Sequence, residues 1–380
     1  MSLFDPTDPL SPVFGRAVGA ALREFLDQHR NGTAADELID LAQPLVSGGK
    51  RLRPAFCAWG YLAVAPEPAD PSELIRVAAS LDLLHVSALV HDDVMDAAAT
   101  RRGQPTVHVV LAASHRERGW RGDPDAFGRA GAIVLGNLLA AWSVELCAHL
   151  PPRADRGLLA AVRTDVNVGQ YLDALAQSRD PLDARCDPEG MMAVVREVVE
   201  AKTALYTVTR PLQIGAALAL SRAASPGAPA GDANVDAQAR PCDPSRLLDG
   251  LATFGTLLGR AFQFRDDLLG VFGDPATTGK PAGDDLREGK MTALVVRTME
   301  LADAADAARL AGLLGKPDLS PDETDEAREI IRFCGADAAV EADIAAARAK
   351  ALDVLDALGV RAEARTALAV LADLVTDRVA

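Results

Sequence analysis

LIRVAASLDLLHVSALVHDDVMD, Leu74 to Asp96, is the stretch that decides the fold. Leu74, Val77, Ala78, Leu81, Leu84 and Ala88 recur at steps of three and four, the spacing of one face of an α-helix, and the run ends on an acidic cluster. On a helix Asp92 and Asp96 project from one face a turn apart, while Asp93 is turned by about 100°. A second stretch, FQFRDDLLGVFGD from Phe262 to Asp274, follows the same plan, with Phe254, Leu257, Leu258, Ala261 and Phe262 leading to Asp266. Spacing of three and four continues from Val18 onward, strand-like alternation is scarce and aromatics are few, so the chain is expected to be all-α. Two carboxylate clusters facing one another could hold several hard divalent cations. Mg²⁺ binds through one or two carboxylates plus substrate phosphates, so such ions could in turn hold a diphosphate. A single acidic motif reads equally well as a solvated helix end; two, each closing a strongly apolar helix, are harder to set aside.

Composition narrows the classes. The chain has 380 residues and a formal charge of −15, which argues against a nucleic-acid partner. No uninterrupted apolar run spans a bilayer, so no transmembrane segment is expected. MSLFDPTDPLSP lacks the basic-then-apolar order of a secretory signal. The five cysteines, Cys57, Cys147, Cys186, Cys242 and Cys334, form no CxxC pair and read as reduced thiols of a cytoplasmic protein. Residues 1–12 are expected to form a loose arm, His115 to Asp125 a polar insertion between helices, and Ser221 to Ser245 a mobile loop. None reads as a domain boundary, so residues 1–380 are taken as a single domain.

Basic segments stand out in so acidic a chain. SGGKRLRP, Ser47 to Pro54, sets two glycines before Lys50, Arg51 and Arg53; glycines admit an anion close to the backbone and the cations neutralise it. RRGQPT, Arg101 to Thr106, follows the first acidic motif; Lys202 and Thr203 lie in EAKTALYT, and Lys280 and Lys290 flank PAGDDLREG. Any one of these alone reads as a solvated basic turn. As a set they suggest two polyanions side by side, one held through metals and one by Lys and Arg directly.

Together these segments resemble the trans-isoprenyl diphosphate synthases, the polyprenyl synthetase family. The motifs run from Gly48 to Lys290 as GGKRLRP, LLHVSALVHDDVMD, RRGQPT, AKTALYT, FQFRDDLLGVFGD and GKPAGDDLREGK. RGWRGD and YTVTRPLQIG look most like the actinobacterial geranylgeranyl diphosphate synthases. The resemblance implies a helical bundle around a central cavity, a homodimer, and three Mg²⁺ ions per site. It implies metal ligands at Asp92, Asp96 and Asp266, with Asp267 and Asp274 supporting the second site less directly. Arg101, Lys202 and Lys280 resemble contacts to the allylic diphosphate. Lys50, Arg53, His85 and Arg102 resemble the isopentenyl diphosphate pocket, and Lys290 a residue that closes over the site. Thr203 and Gln263 would face the developing carbocation, and Gln170 and Asp173 would line the cavity or the metal shell. His91 and His108 are read as structural. The implied reaction is Mg²⁺-assisted ionisation of the allylic diphosphate (dimethylallyl, geranyl or farnesyl), then attack by isopentenyl diphosphate.

Two positions depart from the family pattern. Gly270 stands at the third position of the second motif, where Asp is usual, and Asn137 follows Gly136 where Asp is usual. Product length is expected to depend on the turn before the first motif. Ser87 and Ala88 are small, with Leu84 and Ser80 the next layer and Trp142 a possible floor, so a tail of C20 passes where an aromatic would stop it at C15. Geranylgeranyl diphosphate is therefore the expected product, with farnesyl or a longer polyprenyl diphosphate as alternatives. A class I terpene cyclase shares an acidic motif on a helical fold but has no need of GGKRLRP. A non-catalytic subunit of a heteromeric synthase would be expected to have lost metal or diphosphate residues.

Overall fold

The computed structural model describes residues 2–101, 103–148, 150, 156–178, 188–223, 243–273 and 283–377. The chain is all-α, as expected. In order it forms α1 (Pro12–Gln28), α2 (Asp36–Ser47), α3 (Leu52–Leu62), α4 (Ser72–Met95), α5 (Val107–Glu117), α6 (Pro124–Glu145), α7 (Arg156–Gln177) and α8 (Pro188–Val199). A π-helical segment, Glu200–Thr209, runs into α9 (Arg210–Ala223), and α10 (Pro244–Phe272) follows. Helices Asp284–Arg287, Ala293–Leu301, Ala304–Leu313, Pro321–Phe333, Ala336–Ala357 and Ala362–Thr376 complete it. Among the described residues the strands are one antiparallel pair, Thr100–Arg101 with Gln104–Pro105.

Two compact units are distinguished. The first comprises Met1–Leu158, Pro211–Pro244 and Val360–Val370, the second Leu159–Arg210, Ser245–Gly359 and Leu371–Ala380. In the first, α1 buries Phe14, Val18, Leu22 and Leu26, four residues at a constant step of four. Fully burying each contributes about 1.5–3 kcal/mol. Helix α4 is the spine of this unit, packed against α1, α2, α3, α5 and α6. In the second, Val195, Val199, Phe264, Leu268, Val271, Val296, Ile331 and Val340 form part of one continuous core. Ser320 starts helix Pro321–Phe333 with a reciprocal capping box to Glu323.

Several expectations are corrected. Residues 2–11 are not a loose arm: Trp59 donates its indole N–H to the Pro9 carbonyl at 2.8 Å, and the Leu3 N–H donates to Glu67 at 2.9 Å. The Phe4 ring lies 4.9 Å from Phe14 and 5.9 Å from Trp59. An apolar side chain with an apolar socket overrides the polar, Pro-rich look of this segment. The insertion after His115 does lie between two helices, α5 and α6, but it has an aromatic centre. His115, Trp120 and Phe127 pack ring on ring, with the Arg118 guanidinium 4.7 Å from the Trp120 ring centre. Of the expected mobile loop, Ser221–Ala223 complete α9 and Pro244–Ser245 open α10, while residues 224–242 lie outside the described residues. By length and composition alone α4 and α6 are each apolar enough to cross a bilayer, although neither is an uninterrupted apolar run. The most apolar window of α4 is 67% buried in the protein; that of α6 is only 33% buried.

The π-helical segment is the least regular feature, and its neighbours explain how it is held. Its backbone is approached directly by α7 and α10 within the second unit. A Cβ on Gly169 would fall 2.3 Å from the Lys202 nitrogen, and one on Gly259 would fall 2.4 Å from the Ala204 Cα. Only glycine permits so close an approach. Gly169→Ala is therefore expected to cost about 1–3 kcal/mol through overpacking. Urea unfolding of the variant measures this, and an unchanged midpoint would refute the tight packing.

Candidate active site

The first unit carries the first acidic motif on a helix that is mostly buried between Val77 and Val90. Between Leu81 and Val90 only His85, Ala88 and Leu89 are partly exposed. With the partly exposed Asp92 and Asp96 they make one stripe, because steps of three, four and seven return to the same helical face. The stripe therefore runs from an imidazole through two apolar residues to two carboxylates. Leu89 belongs to it and was not singled out from the sequence. Ser87 does not: it is buried on the other side of α4, donating its hydroxyl to the Gly136 carbonyl of α6 at 2.8 Å. Ser80 makes the same kind of bond to the Ser143 carbonyl at 2.7 Å. Small hydroxyl residues on α4 thus serve its packing on α6, and Leu84 is buried at 3% exposure. Of the three residues expected to govern chain length, Ala88 keeps an accessible position. Trp142 packs on the His29 ring at 4.9 Å. The His91 ring lies against Gly136, and His108 Nδ1 is 3.2 Å from the Thr106 hydroxyl.

Helix α4 ends abruptly at the motif. Asp96 is its C-cap, Ala97 adopts a left-handed φ of 50°, and the Ala98 N–H returns to the Asp93 carbonyl at 2.9 Å. That turn leads into the two-stranded hairpin and brings Arg101 back onto the motif. Its Nε donates to Asp93 Oδ1 at 2.6 Å, and its Nη2 lies 3.5 Å from Asp92 Oδ2. Burial pushes the Asp93 carboxyl up from its ordinary range, and the Arg101 charge partly offsets this. Arg101, read from the sequence as a diphosphate contact, is thus positioned by Asp93. Lys50 is exposed and Arg53 partly so, both beside the N-terminus of α3; Arg102 lies outside the described residues.

The second unit carries the other residues. Lys202 pairs with Asp173 of α7, which gives that aspartate a definite partner. Thr203 donates its hydroxyl to Gln263 Oε1 at 2.6 Å, and Gln263 Nε2 donates to Asp267 Oδ1 at 2.9 Å. This relay fixes the Gln263 amide and joins the π-helical segment to α10. Asp267 is buried, and burial pushes its carboxyl up to about 7 although Gln263 hydrogen-bonds to it. Asp266, one residue earlier, is partly exposed, as is Gln170. Gly270 has a steric reason: a Cβ there would lie 1.9 Å from Asp285 Oδ2. A carboxylate from a separate segment therefore occupies the space beside Gly270, a contact that no residue spacing announces. Lys290 is tied down by Asp285 at 3.4 Å and by Glu288. Lys280 and Asp274 lie outside the described residues. Asn137 is exposed on α6.

Among the described residues no three His, Cys, Asp or Glu side chains close into a ready-made metal cage. Within the first unit α4 presents two carboxylates one turn apart, Asp92 and Asp96, and within the second α10 presents Asp266. Hard carboxylate oxygens of this kind suit an ion that completes its shell with phosphate oxygens.

An all-helical chain with paired acidic helix ends, a basic Gly-rich turn and a Lys-Thr pair on a π-helical segment defines a class of diphosphate-handling enzymes. Similarity to known proteins narrows it. A sequence profile for polyprenyl synthetases matches residues 35–331. The geranylgeranyl diphosphate synthase of Mycobacterium tuberculosis is 32% identical over 314 residues, covering 79% of this chain and 75% of that protein. A geranylfarnesyl diphosphate synthase of Aeropyrum pernix is 30% identical over 347 residues, covering 88% and 91%. The crystal structure of a Corynebacterium glutamicum geranylgeranyl pyrophosphate synthase, complexed with isoprenyl diphosphate and magnesium, superposes with a TM-score of 0.83 at 34% identity, covering 96% of this chain and 98% of that one. The chain belongs to the polyprenyl synthetase family, that of the trans-isoprenyl diphosphate synthases.

Two outcomes follow from this geometry. Gly270→Asp, which restores the usual motif, is expected to lower both thermal stability and activity by collision with Asp285, and Asp285→Ala in the same chain to recover stability. A Gly270→Asp variant as stable as the parent would contradict the close contact. Asp267 sets a pH dependence. Its carboxyl is held above the unfolded value of 3.8, so its contribution is fully present below about pH 4 and is lost as pH rises through about 7. The stability of the parent relative to Asp267→Asn should fall by up to about 4 kcal/mol between pH 4 and 8. Urea unfolding in metal-free buffer measures the difference, and a flat difference would show that Asp267 does not titrate.

Proposed function

We propose that this protein condenses isopentenyl diphosphate with allylic diphosphates to make geranylgeranyl diphosphate. The observation that carries the reading is the accessible stripe His85–Ala88–Leu89–Asp92–Asp96, which joins a diphosphate end to an apolar lane on one helix face. Asp92, Asp96 and Asp266 would hold Mg²⁺, three ions per site by family resemblance. Bound there, Mg²⁺ neutralises the diphosphate and makes it a leaving group. Arg101, Lys202 and Lys280 add positive charge for the allylic diphosphate. Lys50, Arg53, His85 and Arg102 hold isopentenyl diphosphate. Thr203, buried and with its proton committed to Gln263, keeps oxygen lone pairs for a neighbouring carbocation. Lys290, which the family resemblance gives the role of closing over the site, is held by Asp285 and Glu288. No side chain stands out as a base for the final proton, which the departed diphosphate can accept. Apolar helix faces exclude water that would quench the cation.

Ala88 is small and partly exposed, which favours a C20 tail over C15. The protein acts as a homodimer in the cytoplasm on this reading. Support for the dimer is the exposed apolar side of α6, with Ile133, Val134 and Val144 at 44%, 49% and 52% exposure. A non-catalytic subunit is the second reading, motivated by Asn137 and Gly270; the Asp285 carboxylate beside Gly270 weakens it.

Incubation of the protein and Mg²⁺ with isopentenyl diphosphate and each allylic primer should give a C20 product. A C15 end-product, chains of C30 and above, or no product would each overturn the assignment. Ala88→Phe should shift the product to C15 with the enzyme still active.

A further inference from the structure

Arg51 is not among the residues read as diphosphate contacts, yet its side chain is deeply buried in the first unit. It sits between Lys50 and Arg53, and its backbone is left-handed, with φ 55° and ψ 36°. That conformation is unfavourable for a side chain with a Cβ, so something must hold it. Its guanidinium is the anchor. Nη1 forms an ion pair with Asp82 of α4, the two side chains being 9% and 8% exposed, and Nη2 donates to the Val46 carbonyl at the end of α2. The side chain lies along α1, where Gly15 and Gly19 leave room: a Cβ on Gly19 would come within 3.1 Å of Nη2. Arg51 therefore ties together α1, the end of α2, the start of α3 and the middle of α4. Asp82 lies one turn before His85 and ten residues before Asp92 on the same helix.

We propose that Arg51 and Asp82 are positioning residues for the isopentenyl diphosphate pocket: the buried pair locks the SGGKRLRP turn onto α4 and so fixes Lys50 and Arg53 relative to His85. Exposed lysines are costly to order on binding, and a turn locked in advance avoids that cost. The left-handed backbone at residue 51 sends one cation inward as the anchor while its neighbours stay partly or fully exposed. The inference rests on the proposed function, and it is the anchoring that is new.

The test compares the parent with Arg51→Lys, which keeps a charge but cannot pair with Asp82 and the Val46 carbonyl through a two-pronged head. It also uses the double variant Arg51→Met/Asp82→Leu. Replacing both members of a buried ion pair by apolar residues tends to preserve stability. The expected result is a KM for isopentenyl diphosphate raised about tenfold or more in both variants, with the KM for the allylic diphosphate and the thermal midpoint nearly unchanged. Calorimetry with inorganic diphosphate, without Mg²⁺, should show the same loss of affinity. An unchanged KM for isopentenyl diphosphate in a folded variant, or equal rises in both KM values, would overturn the proposal. If the parent forms no prenyl product, the function itself fails; the calorimetric comparison then decides the anchoring alone, equal affinities overturning it.

Discussion

A carboxylate carried into a protein interior on an apolar helix must be compensated, and this requirement organises the site. Desolvation opposes the charged form, so each buried acid recruits a cation, a hydrogen-bond donor or a proton. Asp82 takes Arg51, Asp93 takes Arg101, and Asp267 takes Gln263, the Ala293 N–H and a raised affinity for protons. Asp92, Asp96 and Asp266 stay partly exposed, and they are the acids to which the proposed function gives the metal. Each motif thus divides its labour within a few residues: one member is tied into the structure and its neighbour stays accessible. The helical period makes that division automatic, since adjacent residues cannot share a face.

Much of this was legible in the sequence, for identifiable reasons. The apolar steps of α4 and α10 lie in the chain itself, so the helices, the all-α class and the pairing of Asp92 with Asp96 could be read from residue spacing. Local order also gave the basic turn and the Lys202–Thr203 pair. What could not be read depends on contacts between segments far apart. Ser87 and Ala88 are neighbours of similar size, yet one bonds to α6 and the other is accessible; only the position of α6 separates them. Asp285 reaches Gly270 across fifteen residues of chain, and no periodicity announces it. The N-terminal residues looked loose because their composition is polar and Pro-rich, whereas Phe4 and the Pro9 carbonyl find partners around Trp59. Leu89 shares the helix face of Ala88, but its exposure depends on which neighbours leave that face open, which residue size alone does not show.

The basic side of the site obeys the same logic with the signs reversed. Lys202 is held by Asp173, and Lys290 by Asp285 and Glu288. Both lysines are thus kept in defined positions, and on the proposed function a phosphate could replace these acids as partners.

The π-helical segment adds a consequence of another kind. Hydrogen bonds that reach five residues rather than four widen each turn, so side chains after Glu200 fall progressively out of phase with those of α8. Lys202 and Thr203 are therefore presented at an angle that a uniform helix through the same chain would not give. Removing one residue from this segment would not simply shorten it. The helix could close to the normal pitch, and everything downstream, including Arg210, would rotate by about a quarter turn or more relative to α8. Chain length in this segment acts as an angular setting, which makes a single deletion here more consequential than many substitutions.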